Sequence, residues 1–204
     1  MNSCTTCKEA IAHCMSTHTF AFAHLYGDEK IMDMHIHNCC EVYYSISGGK
    51  QFLIDHCLYD IRPGDLFLIN QFESHHLTQI DQQTHERIIL SIDPEYLSKL
   101  STGATDLGLC FSFRDTRMPH QIHLSPKEQN RVMYFIHELH DDGGIGEDLL
   151  DQAIFLELMV FLNRAFAARC TDAAAPAPAP SSNYHAQVDA ILSYINSHIG
   201  EPLT

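Results

Sequence analysis

The chain has 204 residues, 45% of them hydrophobic, enough for one cored domain with appendages and too many for global disorder. Its 12 Lys plus Arg stand against 26 Asp plus Glu, a formal charge of -14. The cations are scattered singly, as at Lys30, Lys50, Arg62, Arg87, Arg114 and Arg131. Without a cluster of them, phosphate counterions have no surface to be displaced by, so this stretch of chain is not expected to bind nucleic acid itself.

Residues 1–18 read as an N-terminal arm. No basic run followed by an apolar core opens it, and no stretch approaches the roughly 18–20 apolar residues of a membrane span, so a cytoplasmic protein with no membrane partner is expected. The eight cysteines then read as thiols. Residues 19–92 carry a run of short β-like segments. These are Thr19–Tyr26, Glu41–Ser47, Gln51–Asp55, Cys57–Ile61, Leu66–Asn70 and Glu86–Ile92. Gly48-Gly49 between the second and third reads as a hairpin signal, and Arg62-Pro63-Gly64-Asp65 as a turn. Short strands at regular spacing argue for a β-sandwich or barrel.

Residues 93–170 change character. Pro94–Leu100 predicts a short helix. Ser125-Pro126-Lys127-Glu128 predicts a capped helix start, with Val132, Phe135, Ile136 and Leu139 on one face. Asp141-Asp142-Gly143-Gly144 ends it, and a helix over Glu147–Arg169 follows, so the two form an antiparallel helical hairpin. Residues 171–183, TDAAAPAPAPSSN, are a Pro/Ala linker, and residues 184–204 begin with a further helical pattern over Tyr184–Ile199. That helix has nothing to pack on and reads as the start of a further domain.

Fifteen histidines direct attention to metal chemistry. In extended chain His35 and His37 share a face, and Glu41 has their parity. His75 and His76 follow the turn and the next strand, where only one of the two can face inward and His76 is read as the outward neighbour. Three imidazoles and a carboxylate suit a divalent metal such as Zn, Ni, Fe, Mn or Co. The plainer reading is a polar pocket lining without metal.

The pattern His35-Ile36-His37, Glu41, Gly48 resembles the first cupin motif in every spacing. Pro63-Gly64-Asp65 through His75 resembles the second, with Asn70 and Gln79 where Pro and Asn are usual. Ile191-Leu192-Ser193-Tyr194-Ile195-Asn196-Ser197-His198 and Glu201-Pro202-Leu203-Thr204 are similar to the opening of an AraC-type DNA-binding domain. The chain thus resembles the N-terminal sensor and dimerisation part of an AraC-type regulator. The resemblance implies a small cupin-type β-barrel (a double-stranded β-helix) followed by the helical hairpin. It implies a small-molecule effector in the barrel, a homodimer through the hairpin, and DNA contact only through helix-turn-helix residues beyond Thr204.

Phe22, Tyr26, Tyr43, Phe52 and Phe67 are the candidate effector-pocket residues, with ordinary core packing as the plainer reading. Leu150, Ile154, Leu158, Phe161 and Leu162 form the candidate dimer face, which intramolecular core also explains. Cys4 and Cys7 with His13 and Cys14 read better as flexible N-terminal thiols than as a zinc site, and Cys39 and Cys40 as structural residues facing opposite ways. A sensor is expected to bind without catalysis. The competing reading is a metal-dependent cupin enzyme, a dioxygenase or isomerase.

Overall fold

The computed structural model describes residues 4–27, 34–49, 51–79, 85–112, 120–139 and 144–172. The linker and the C-terminal helix expected over 171–204 fall almost wholly outside them. The N-terminal arm is not loose. It forms helix α1 (Cys7–Thr17), whose N-cap Thr6 side chain accepts from the Glu9 N–H and whose end is marked by His18 in the left-handed region. Ala10 and Cys14 are its buried face, so the expectation of flexible N-terminal thiols is corrected for Cys14.

Among the described residues, eight strands follow the helix in two antiparallel sheets. β1 (Phe20–Gly27), β2 (Cys40–Ser45), β5 (Asp65–Ile69), β7 (His85–Ile92) and β8 (Gln121–His123) form one sheet, in the order β1-β7-β2-β5-β8. β3 (Gln51–Ile54), β4 (Cys57–Asp60) and β6 (His75–Gln79) form the other, in the order β4-β3-β6. This is the expected cupin-type barrel, each strand within a residue or two of its sequence-based limits and with β6 and β8 in addition.

Gly48-Gly49 is not a hairpin turn. β2 pairs with β5 and β7, whereas β3 pairs with β4 and β6, so the two glycines carry the chain from one sheet to the other. Gly48 sits at φ +87°, and a Cβ there would stand 3.0 Å from Pro63 Cδ. Only glycine fits both the backbone and the closeness of the turn below it. The two-residue hairpin lies instead between β3 and β4, where Asp55 adopts φ +50°.

The five-stranded sheet is buried on both faces. Phe20, Phe22, Cys40, Val42, Tyr44, Leu66, Leu68, Ile88 and Leu90 meet the helices, while Ala21, Ala23, Cys39, Tyr43, Phe67, Ile69 and Ile89 face the second sheet and α1. Cys39 and Cys40 therefore point opposite ways, as strand alternation requires. Helices α2 (Pro94–Leu100), α3 (Leu109–Ser112), α4 (Pro126–Glu138) and α5 (Glu147–Asp172) cover the outer face. Ser125 and Glu128 form a reciprocal capping box at the start of α4. Arg169 near the end of α5 reaches back to Glu128 at 2.8 Å, and Arg131 pairs with Glu157 at 2.8 Å. These contacts fix α4 and α5 as an antiparallel hairpin. Arg169, with Ser125, holds the Glu128 carboxyl at about 2.

Candidate metal centre

His35 lies just before β2 and His75 opens β6. They exchange backbone hydrogen bonds, His35 N–H to the His75 carbonyl at 3.3 Å and His75 N–H to the His35 carbonyl at 3.1 Å. Directly opposed residues carry their side chains side by side, and the two rings lie 4.3 Å apart between centroids. His37, two residues on, brings its ring to 4.9 Å from His75 and 5.8 Å from His35. One ligand nitrogen from each of the three lies within 4.8 Å of the others.

Glu41 completes the set from the inward face of β2, where it is 2% exposed. Its Oε2 is 3.1 Å from His37 Nε2 and 3.9 Å from His75 Nε2. His76 is half-buried where His75 is fully buried, in line with alternation along β6.

The other ring nitrogens define the chemistry. His37 Nδ1 is 2.9 Å from the Cys39 carbonyl and His75 Nδ1 is 2.9 Å from the Glu73 carbonyl. A carbonyl only accepts, so both Nδ1 atoms carry the proton and both Nε2 atoms are turned inward. Such second contacts orient imidazoles as metal ligands. His75 Nε2 is buried without a hydrogen-bond partner. An isolated buried nitrogen of this kind is costly, and the donor set N, N, N, O around it fits a first-row divalent ion.

The electrostatics follow from the same contacts. Burial works against a charge on His37, but hydrogen bonds to Cys39 and Glu41 prevail and push its imidazolium up to about 10. Burial likewise opposes the Glu41 carboxylate, which the three histidines nonetheless hold below its ordinary range. His75 is pushed down by burial. The neighbouring Cys14 side chain, together with His37, draws the Cys39 thiol down to about 6 against burial. Cys14 is pushed up in turn.

Cys7 enters the site although the CxxC spacing pointed elsewhere. Its Sγ stands 4.0 Å from Glu41 Oε2. Among the described residues neither group of convergent ligands includes Cys4, Cys7, His13 or Cys14. Ser91, directly across from Glu41 on β7, is a further buried hydroxyl at this level. Sequence carries no local signal for either neighbour.

Three of the five aromatic candidates meet beneath the histidines. Tyr43, Phe52 and Phe67 interlock at centroid distances of 5.0, 5.1 and 5.8 Å, and Phe52 reaches 6.1 Å from His75. Phe22 does not join them. It faces the helices with Phe20, because its parity on β1 is that of the outer face. Tyr26 is 64% exposed at the end of β1, its ring against His24. Both are corrected as pocket residues.

Of the dimer candidates, Leu158 and Leu162 are buried in the chain's own core, and Ile154 and Phe161 are half-buried against it. Burial takes Leu158 and Leu162 out of any intermolecular face. Leu150 is exposed, as are Leu149 and Ile145 beside it.

A cupin-type barrel with an inward histidine cluster thus carries a helical hairpin on its outer face. The AraC-like ligand binding domain matches residues 19–159, well over half of the chain, and the chain belongs to that family. Among solved structures, apo ToxT K231A from Vibrio cholerae strain SCE256 is similar at 9% identity, covering 91% of this chain and 67% of that one, with a TM-score of 0.49. A cupin 2 conserved barrel domain protein from Rhodopseudomonas palustris is similar at 16% identity over 40% of this chain and 65% of that one, TM-score 0.33. The DMSP lyase DddQ from Ruegeria pomeroyi DSS-3 is similar at 21% identity over 36% of this chain and 38% of that one, TM-score 0.33. The matched part thus spans well under half of the lyase and just under two thirds of the cupin protein. Among curated protein sequences none matches. No helix among the described residues is long and apolar enough to cross a membrane.

Proposed function

We propose that this chain is the effector-sensing and dimerising part of an AraC-type transcription regulator, and that His35, His37, Glu41 and His75 hold a divalent metal in its barrel. The convergence of three imidazoles, two of them 3.1 and 3.9 Å from the buried Glu41 carboxylate, with His75 Nε2 left unpartnered, is the observation that carries the reading. A bound ion would supply a fixed positive charge and an open coordination position for an anionic or chelating effector. The chain's own residues orient it: the Cys39 and Glu73 carbonyls set the two imidazoles, and Tyr43, Phe52 and Phe67 close the floor against water. The protein binds without turning over, acts in the cytoplasm, and meets promoter DNA through an AraC-type DNA-binding region, whose opening residues 191–198 and 201–204 resemble.

Elemental analysis of protein purified without chelator or nickel resin is the test. The parent should carry about one zinc, nickel, iron, manganese or cobalt per chain, and His37→Ala should carry none. No metal in the parent, and none regained on dialysis against the ions, would reduce the histidines to pocket lining.

We place the homodimer contact at Ile145, Leu149 and Leu150, exposed apolar side chains around the start of α5. Replacing Leu149 and Leu150 by Glu should give a monomer in light scattering at concentrations where the parent is dimeric. An unchanged dimer would move the interface elsewhere.

A further inference from the structure

We propose that the protein has a second divalent-cation site, built by Asp55, Glu73 and His120 and independent of the histidine cluster and of the sensor reading. Asp55 comes from the β3–β4 turn, Glu73 from the residues before β6, and His120 from the residue before β8. One ligand atom of each lies within 4.8 Å of the other two. Three separate segments converge on one point.

His120 is the residue that points to an ion. It is only 8% exposed, and its Nε2 is buried with no hydrogen-bond partner. That nitrogen stands 3.3 Å from Glu73 Oε2, near it but not aligned for a hydrogen bond. Its other nitrogen, Nδ1, is 2.9 Å from the Tyr59 hydroxyl, and the His120 backbone N–H donates to the same oxygen at 3.3 Å. In the tautomer in which Tyr59 Oη accepts from Nδ1–H as well, the Nε2 lone pair faces the carboxylates, which is the orientation a metal ligand needs.

The carboxylates are held in place by backbone and not by each other. Asp55 Oδ1 accepts from the Ser74 N–H at 3.0 Å and the Ser74 hydroxyl at 3.3 Å. The left-handed conformation of Asp55, φ +50°, is secured by its own N–H on the Ser74 carbonyl. Glu73 Oε2 accepts from the Asn70 N–H at 2.6 Å. Each oxygen has lone pairs beyond these bonds. Two carboxylates this close repel, and a cation between them and the imidazole removes that repulsion. One nitrogen and two carboxylates form a harder set than the histidine cluster and favour Mn2+, with Zn2+ or Co2+ as alternatives. Asp55 is exposed, so an ion has a way in, and water can complete its shell.

The test uses the whole chain stripped by chelator and then titrated with Mn2+, followed by the loss of the free-ion EPR signal. Asp55→Asn and Glu73→Gln keep size and shape, and circular dichroism confirms that each folds. The parent should bind one Mn2+ at this site, and each variant should bind it at least about tenfold more weakly. Without any substitution, substoichiometric Mn2+ should broaden the His120 imidazole resonance of the parent before those of His35, His37 and His75. Equal Mn2+ binding by parent and both variants, no Mn2+ binding at millimolar concentration, or broadening of the other three histidines first overturns the proposal. An empty histidine cluster leaves it intact, because the His120 resonance and the two carboxylate variants do not report on that cluster.

Discussion

Phe155→Ala should unfold roughly 6–20 °C below the parent in a thermal melt. Phe155 lies on α5 and is fully buried. Its ring stacks on Phe20 of β1 with centroids 4.3 Å apart and planes 16° from parallel, and Tyr96 of α2 closes on it at 5.4 Å. This one side chain therefore joins the long helix, the short helix and the barrel sheet. Truncating a buried Phe costs about 3–5 kcal/mol, the lost transfer energy plus the cavity left behind. In a domain of this size 1 kcal/mol corresponds to about 2–4 °C. Arg164→Ala on the same helix is the control, since an exposed side chain away from the proposed dimer contact should change stability by no more than about 0.5 kcal/mol. A Phe155→Ala melt within a degree or two of the parent would mean that the hairpin does not dock on the sheet as described.

What sequence made legible follows from how many faces each element buries. Amphipathic α4 shows one apolar stripe, with Val132, Phe135 and Ile136 buried, and its cap Ser125 and N3 Glu128 can be read letter by letter. β2 is buried at every position, and β7 at every position but one. Alternation cannot assign a face to a strand whose two faces are both apolar, so Phe22 and Tyr43 looked alike although they point into opposite cores. α5 has the same difficulty, because Leu158 and Leu162 could equally have served a partner. Helix α1 had a usable mark, Thr6 three residues before Glu9, outweighed by its mixed composition. The histidine cluster was readable because His35, His37 and Glu41 share one parity within a single segment. The Asp55, Glu73 and His120 convergence was not, since its three members come from different turns and only the sheet order brings them together. Cys7 joins the Glu41 carboxylate for the same reason, through the packing of α1 and not through any spacing.

Metal affinity of the histidine cluster should rise about tenfold for each pH unit between pH 7 and 8.5, with about one proton released per ion bound. The proton is that of His37. Without metal its Nε2–H donates to Glu41, its Nδ1–H lies against the Cys39 carbonyl and sulfur, and, against burial, the Cys39 and Glu41 side chains hold the imidazolium up to about 10. An ion coordinated by Nε2 must displace that proton, so at any pH below about 10 binding competes with it. His75 adds no proton to this count, since burial lowers its pKa and it is neutral at pH 7. Glu41 adds none either, because its pKa is lowered and it is already ionised. The sign for the metal-free protein is the reverse. A folded-state pKa raised above the ordinary 6.5 stabilises the fold fully below that pH, and the contribution is lost as pH rises toward 10. High pH therefore weakens the apo protein while it strengthens metal binding. Calorimetric zinc titrations in buffers of different ionisation enthalpy measure the released proton directly. In Glu41→Gln both the affinity and its pH slope should fall, because the carboxylate is a ligand and also a support of the His37 charge. An affinity flat from pH 7 to 8.5 in the parent would show that His37 either is neutral without metal or does not bind the ion.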